Sequence, residues 1–144
     1  MLNILKISAA FITVLLTCQV ASANAGVAVI GNPKDGIAAL TEKQVKDIYL
    51  GKSGRLPGGP AVKIVDLGDD SAVKVEFYNK VIGKNLSQIK AHWAKQVFTG
   101  KGTSPASLED DNAVKKWVTA KPGRIGYISD ISVDDTVKVL LQVP

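Results

Sequence analysis

Short apolar runs alternate with segments of helical periodicity in residues 26–143, and this alternation limits the folds open to the chain. The strand-like runs are Gly26–Ile30, Ala61–Asp66, Arg124–Ser129 and Thr136–Val143. Most of the connections between them are long, and they contain four helical segments. The pattern therefore predicts an α/β domain in which a small mixed sheet is flanked by about four helices.

The helical segments carry start and stop signals. Thr41 and Gln44 form a capping-box pattern, and Gly51 is placed to end the first helix. We predict a second helix over Ser71–Ile82, a third capped by Ser87, and a fourth capped by Asp110 or Asp111. The apolar positions expected to face the core are Val45, Ile48 and Tyr49, then Val73, Phe77 and Val81, then Leu86, Ile89, Trp93 and Val97, and finally Val114, Trp117 and Val118.

Residues 1–25 have the pattern of a secretory signal peptide. A basic start at Lys6 precedes an apolar run and two Ala-x-Ala sites, which allow cleavage after Ala23 or Ala25. We favour Ala25, because Gly26 then opens the first strand. A membrane anchor is the first alternative, but the apolar run is shorter than the ~20 residues of a spanning helix. A lipid-modified Cys18 is the second, although its flanking sequence fits a lipoprotein box only in part.

Cleavage after residue 25 would leave about 119 residues, without a cysteine, and would lower the net charge from +5 to +4. A chain of that length can form one domain, residues 26–144, that buries roughly two-thirds of its unfolded surface. Such a domain would be held together by its core and not by disulfides. The mild positive charge is compatible with an anionic ligand, and equally with a solvated surface that carries lysines.

The reactive side chains argue against an enzyme. Without Cys18 the chain has no thiol nucleophile, and His92 is the only histidine. A serine triad would lack a nucleophile elbow, and a zinc site would lack its His/Cys cluster. The adjacent carboxylates at 69–70, 110–111 and 134–135 point in diverging directions and suit caps and turns. We therefore expect no catalysis, no metal and no cofactor, and the dispersed basic residues do not favour nucleic-acid binding.

Three sequence blocks occur in order: Leu40–Lys52 (LTEKQVKDIYLGK), Phe98–Thr103 (FTGKGT) and Pro122–Tyr127 (PGRIGY). Together they resemble the phosphate ABC transporter substrate-binding proteins, members of the type II periplasmic binding-protein-like superfamily. The resemblance implies an α/β lobe, a periplasmic location and a small oxyanion ligand. That family folds as two lobes that close on the ligand. This chain has the length of about one lobe, so we expect a short single-lobe member.

The resemblance also points to a binding loop. The family's anion loop, Arg-Ser-Asp-Gly-Ser-Gly-Thr at a helix start, aligns with residues 67–73 (LGDDSAV), where Asp69 and Ser71 match. A helix start offers free N–H groups to an oxyanion. The implied ligand-binding residues are Gly68, Asp69, Asp70, Ser71 and Ala72.

The same loop departs from the family pattern at positions that matter for anion binding. Leu67 replaces the arginine, which would supply charge-assisted hydrogen bonds, and Val73 replaces the threonine. Asp70 adds a carboxylate that repels an anion. Under the alternative interpretation, Asp69 and Ser71 only cap the helix.

Other candidate residues have ordinary structural explanations. The loop Gly100–Thr103 carries a lysine between glycines but lacks the strand and helix context of a nucleotide site. We interpret it as a loop after the third helix, Trp93 and Trp117 as core residues, and His92 as a surface residue. Tyr127 fits either a core or a ligand-contacting role.

Two expectations follow for function. The first is an exported, non-enzymatic solute-binding protein that binds phosphate or another small oxyanion weakly. It would work with ABC importer subunits or with a second lobe-like partner, and it would have no stable membrane anchor. The second is an interaction or structural module that retains the lobe and has lost the ligand.

Overall fold

The computed structural model describes residues 26–144, and the predicted signal peptide, residues 1–25, lies outside the described residues. The strands are β1 (Val27–Gly31), β2 (Lys63–Leu67), β3 (Ala106–Leu108), β4 (Arg124–Ser129) and β5 (Lys138–Val143). The helices are α1 (Glu42–Tyr49), α2 (Ala72–Phe77), α3 (Leu86–Phe98) and α4 (Asp111–Ala120), and α2 runs on into a π-helical turn, Tyr78–Ile82. Within residues 26–144, none of the helices is long and apolar enough to cross a membrane.

The five strands form one mixed sheet in the order β3-β2-β4-β1-β5. β2 runs parallel to β3 and β4, whereas β1 runs antiparallel to β4 and β5. Gly126 and Tyr127 are neighbours in β4 and therefore face opposite sides of the sheet. Gly126 faces Val114 of α4, and the ring of Tyr127 stacks on Phe77 of α2. Helices thus cover both faces, which confirms the predicted α/β class with a small mixed sheet and four helices.

The first and last helices begin as the sequence predicts. The Thr41 hydroxyl accepts a hydrogen bond from Gln44 N at 3.2 Å, and the Gln44 side chain accepts one from Thr41 N at 2.9 Å. Asp110, one of the two predicted caps of α4, accepts from Ala113 N at 2.8 Å. Gly51 follows α1 with a φ of 74°, a conformation that glycine adopts without strain. These local signals therefore specify real helix ends.

The predicted start of α3 is wrong by two residues. Asn85, and not Ser87, caps the helix, and its side chain accepts from Gln88 N at 2.9 Å. The Gln88 side chain accepts from Asn85 N in return at 2.9 Å, so a complete capping box favours the earlier start. The far end of α3 also differs from expectation. Val97 is 51% exposed and Phe98 is 92% exposed, so the last turn of α3 does not pack in the core.

The strand predictions differ from the structure at their ends. β2 covers Lys63–Leu67 where Ala61–Asp66 was expected, and β5 begins at Lys138 and not at Thr136. Thr136 lies in a turn, where its N–H donates to the Asp134 carboxylate at 2.9 Å. β3 was not predicted at all, because three exposed or half-exposed residues carry no readable period.

The core on the α1 and α2 side of the sheet is rich in aromatic rings. Phe77 and Tyr127 stack with their centroids 3.9 Å apart and an interplanar angle of 8°. Tyr49 meets the Phe77 ring edge-on at 4.7 Å, and Tyr78 does so at 5.2 Å. All four side chains are fully buried. This cluster fixes the position of α2 over the sheet, and with it the loop that joins β2 to α2.

The two tryptophans differ in burial. Trp93 is 7% exposed and belongs to the core, as predicted. Trp117 is only partly buried, and the Arg124 guanidinium lies 4.5 Å from the centre of its ring. The expectation of a fully inward Trp117 therefore needs correction, because its ring forms the side of the core and stacks with a cation at the surface.

Candidate functional site

The junction between β2 and α2 holds the five candidate binding residues. Ser71 caps α2, since its Oγ accepts from Lys74 N at 3.3 Å, and its own N–H donates to Gly68 O at 3.0 Å. Ala72 and Val73 begin the helix, and amides in a first turn have no acceptor within the helix. The junction therefore combines a capped helix start with backbone donors that remain available to other groups.

Asp69 is held by two lysines. Its Oδ1 accepts from Lys74 Nζ at 2.8 Å, and its Oδ2 lies 2.7 Å from Lys90 Nζ. The hydrogen bond from Lys74, and then that from Lys90, lowers the pKa of Asp69 to about 2. Both oxygens of this ionised carboxylate are engaged. A protonated phosphate oxygen would have to compete with two ammonium groups for Asp69.

A cavity of about 380 Å³ opens beside the junction, and we call it the junction cavity. Its lining residues are Leu67, Asp70, Ser71, Glu109, Asp110, Asp111, Asn112 and Ser132. Of the five candidate residues, the structure thus brings Asp70 and Ser71 to the cavity, whereas Asp69 is tied to its lysines. Four of the lining side chains are carboxylates and none is a cation. Negative charges at this range repel an anion.

Leu67 forms an apolar wall of the junction cavity. Its side chain is only 2% exposed. Its N–H donates to the Asp66 carboxylate at 3.0 Å and to the Tyr127 hydroxyl at 3.2 Å. The position at which the resembling family carries an arginine is therefore part of the core in this chain.

A buried carboxylate network lies directly behind the junction. Asp66 is 5% exposed, and its Oδ2 accepts from the Tyr78 hydroxyl at 2.8 Å and lies 3.4 Å from Lys74 Nζ. Its Oδ1 accepts from Leu67 N and from the Tyr127 hydroxyl. Three hydrogen-bond donors and the nearby Lys74 ammonium group therefore compensate this buried carboxylate, as burial of a charge requires. The sequence pattern predicts Asp66 only as the end of a strand, although a carboxylate within an apolar run can itself indicate a buried polar network.

The tyrosines of this network stay protonated. Burial, and then the charge of Asp66, raises the pKa of both Tyr78 and Tyr127 far above the ordinary value of a phenol. Burial likewise raises the pKa of Tyr49, whose hydroxyl donates to Val65 O at 3.0 Å. These hydroxyls serve as donors inside the fold, which resolves the two roles left open for Tyr127 in favour of a core role.

The remaining candidates lie away from the junction cavity. His92 is half-buried, with Nε2 2.9 Å from Leu50 O, so it ties α3 to the end of α1 and is not a free surface residue. The loop Gly100–Thr103 follows α3 and is exposed. In the part of the chain that the structure describes, no group of three or more His, Cys, Asp or Glu side chains is arranged to hold a metal ion.

No protein-family model matches the sequence. Solved structures do share the fold over 80% of this chain. One is described as a phosphate ABC transporter substrate-binding protein from Clostridium perfringens with bound phosphate, with 25% identity, a TM-score of 0.60 and 44% of that chain covered. An ABC-type phosphate transport receptor from Vibrio cholerae gives 21% identity, a TM-score of 0.62 and 45% coverage. PstS from Borrelia burgdorferi has 16% sequence identity and a TM-score of 0.60, with 46% of that chain covered.

The chain spans less than half the length of these proteins. The matches agree with the resemblance carried by the three sequence blocks, and they support it at the level of the fold. The protein thus has the fold of a single lobe of the type II periplasmic binding-protein-like superfamily, the fold it shares with phosphate ABC transporter substrate-binding proteins.

Proposed function

We propose that the protein is an exported, non-enzymatic solute-binding lobe that binds phosphate or another small oxyanion at the junction Gly68–Ala72. The observation that carries this proposal is the strand-to-helix connection at the junction. β2 ends and α2 begins beside a cavity of about 380 Å³, with the N–H groups of Ala72 and Val73 in the first helical turn. Such N–H groups and the positive end of the helix dipole favour an oxyanion. The Ser71 hydroxyl can add a donor while its oxygen caps the helix.

We propose that the site binds weakly, for two reasons. Asp70, Glu109, Asp110 and Asp111 line the junction cavity and oppose an anion, and no lining residue is a cation. A single lobe also leaves the ligand in water, where charges are screened. We expect a dissociation constant of ~10–1000 μM. A second lobe-like partner, or subunits of an ABC importer, would cover the site and strengthen binding.

A catalytic role has no support in the described residues. The buried Asp66 is satisfied by donors of the fold, and His92 is engaged with a backbone carbonyl. The proteins of similar fold are named for phosphate binding or transport. We therefore propose binding without chemistry.

Amide chemical shifts during a phosphate titration test the site directly. The amides of Asp70, Ala72 and Val73 should shift, with saturation in the stated range. Ser71→Asp keeps an oxygen that caps the helix but adds a negative charge, so it should abolish the shifts without unfolding the protein. Ser87→Ala, near the start of α3, is the matched control and should change nothing. If the junction amides stay unchanged at ten millimolar phosphate, the oxyanion proposal is wrong.

The acidic lining of the junction cavity favours one second candidate, an interaction module that has lost the ligand. Four carboxylates around an opening are better suited to a cationic surface of a partner protein than to phosphate. This candidate predicts no response of the junction amides to phosphate in wild-type protein. It also predicts that Ser71→Asp is as stable as the wild type.

A further inference from the structure

A second cavity lies on the opposite face of the sheet. It measures about 300 Å³, and we call it the lysine cavity. Its lining residues are Asp66, Lys74, Ile89, Lys90, Trp93, Ala94, Ser104, Pro105 and Ser107. None of them lines the junction cavity, because Asp66 and Leu67 are successive residues of β2 and point to opposite faces. The two cavities are therefore separate candidate sites.

Lys74 is the most unusual side chain of this cavity. Only 7% of the residue is exposed, and its ammonium group carries three N–H donors. One donates to Asp69 Oδ1 at 2.8 Å, and Asp66 Oδ2 lies at a longer 3.4 Å. The ring centre of Tyr78 is 6.0 Å away, the outer limit of a cation–π contact. A buried ammonium normally has all its donors paired, so Lys74 has capacity for one more acceptor.

Trp93 adds a second unused donor. Its Nε1 is buried and has no hydrogen-bond partner among residues 26–144. An indole N–H can only donate, so this nitrogen is an unsatisfied donor in a residue that lines the cavity. Lys90, whose side chain is 67% exposed, has further N–H groups beyond the one directed at Asp69. The hydroxyls of Ser104 and Ser107 can donate as well.

The strongest acceptor of the cavity is already in use. Asp66 is the only carboxylate in its lining, and it accepts from Tyr78, Tyr127 and Leu67 and faces Lys74. Unused hydrogen-bond donors therefore exceed unused acceptors in the lining, and a ligand rich in hydrogen-bond acceptors would complement it. The apolar walls, formed by Ile89, Trp93, Ala94 and Pro105, favour a guest with a hydrocarbon part.

Charge decides between a singly and a doubly charged guest. Lys74 and Lys90 are balanced by Asp66 and Asp69, so the cluster is neutral before a ligand enters. One carboxylate can accept from the spare N–H groups of both lysines, which offsets its single charge, whereas a dianion would bring a second charge for which the site has no further cation. We infer that the lysine cavity is a binding site for a small organic monocarboxylate, with the carboxylate toward Lys74, Lys90 and Trp93. This inference is independent of the proposed oxyanion site.

The glycine-rich loop after α3 lies at the edge of the lysine cavity. A Cβ at Gly102 would lie 3.5 Å from Cζ3 of Trp93, so the loop rests on the tryptophan that lines the cavity. The chain then continues into Ser104 and Pro105, which form one wall. Gly100–Thr103, which the sequence suggested as a weak phosphate cradle, thus borders the lysine cavity and not the junction.

The indole N–H resonance of Trp93 reports on the cavity, and that of Trp117 is an internal control. In the purified protein, butyrate at millimolar concentration should shift the Trp93 resonance, assigned through Trp93→Phe, and should leave Trp117 unchanged. Lys90→Gln removes an exposed donor without burying a polar group, so it should weaken butyrate binding about three- to tenfold. Lys95→Gln, an exposed lysine of the same helix outside the cavity, should change the affinity less than twofold.

Three results would overturn the inference. One is an unchanged Trp93 resonance at fifty millimolar butyrate in folded protein. The second is an equal loss of affinity in Lys90→Gln and Lys95→Gln. The third is a response to inorganic phosphate that exceeds the response to butyrate, since it would assign the cavity to inorganic oxyanions. Ser71→Asp, which tests the junction site, should leave butyrate binding intact, so the failure of one proposal is distinguishable from the failure of the other.

Discussion

The hydroxyl of Tyr78 donates a 2.8 Å hydrogen bond to the carboxylate of Asp66, in an interior that excludes water from both groups. The ring of Tyr78 also packs edge-on against Phe77 at 5.2 Å. The π-helical turn after α2 begins at this tyrosine, so the hydrogen bond joins the turn to the end of β2. The pair therefore connects the helix over the sheet to the strand that leads into the junction.

Tyr78→Phe should destabilise the protein. The ring contacts survive the substitution, whereas Asp66 loses one of its donors and becomes a less satisfied buried anion. We expect a loss of about 1–3 kcal/mol in the free energy of unfolding. Urea denaturation followed by the emission of Trp93 measures this loss. Tyr49→Phe is the control, since that hydroxyl donates to the neutral Val65 carbonyl and should cost less. An equal cost in both variants would contradict a special role for the Asp66 bond.

Acid should weaken the contact between the junction and the two lysines. The pKa of Asp69 is lowered to about 2 in the folded protein, against about 4 for an unfolded aspartate. A group with a depressed folded pKa contributes stability above its unfolded pKa, and this contribution is lost as the pH falls through the folded value. Stability should therefore decline between about pH 4 and pH 2.

Asp69→Asn should flatten part of that decline, because the substituted side chain no longer titrates. Asp134, whose pKa is also about 2 through its hydrogen bond from Lys115, provides a second contribution of the same sign. Urea midpoints measured between pH 2 and pH 5 for the wild type and for Asp69→Asn decide the question. Identical pH profiles for the two proteins would show that the Lys74 and Lys90 contacts do not hold the carboxylate in solution.

Local sequence signals predicted the framework because they depend on residues close in the chain. The box formed by Thr41 and Gln44 needs only three residues of separation, and the structure contains it. β3 depends instead on pairing with β2, in which Val65 lies opposite Ala106. A three-residue strand has no period of its own, so only the distant partner reveals it. The shifted start of α3 arose from two good caps in competition, Asn85 and Ser87.

The position of the candidate loop between β2 and α2 was predictable from the sequence, but the contacts of its side chains were not. The sequence located the loop through Asp69 and Ser71, yet it could not show that Asp69 would be taken by Lys74 and Lys90. The role of Asp66 depends on Tyr127, which is 61 residues away along the chain. Such contacts depend on the fold as a whole. They determine which carboxylates are engaged within the protein and which remain able to contact a ligand.

Leu67 illustrates the same limit from the opposite direction. The sequence indicates only that a leucine replaces the ligand-binding arginine of the resembling family. In the structure, the side chain is 2% exposed and packs in the core. An arginine there would bring a charge into a buried position next to the acidic lining of the junction cavity, and it would have to pair with those carboxylates, because burying an unpaired charge is costly. The departure from the family pattern therefore concerns packing as well as ligand binding.

Gly126→Ala should destabilise the contact between β4 and α4. A Cβ at Gly126 would overlap the Val114 side chain and lie 3.2 Å from Val65, both of which are packed in the core. The helix would have to move away from the sheet, at a cost of about 1–3 kcal/mol. Gly54→Ala is the matched control, because nothing lies within 4 Å of its Cβ position. Equal urea midpoints for the two variants would contradict the close approach of α4 to the strand.

Cleavage of the predicted signal peptide after Ala25 would make Gly26 the first residue of the exported protein. Gly26 O accepts from Asp130 N at 2.9 Å, and a Cβ on Gly26 would lie 2.8 Å from Asp130 Oδ2. Gly26 thus lies beside the Asp130 carboxylate, whose Oδ1 is buried without a hydrogen-bond partner in residues 26–144, and we expect a new terminal ammonium on Gly26 to be attracted to it. We expect the intact mass of protein from an exporting cell to correspond to residues 26–144. A mass that begins at Asn24, retains residues 1–25 or includes a lipid on Cys18 would refute this prediction.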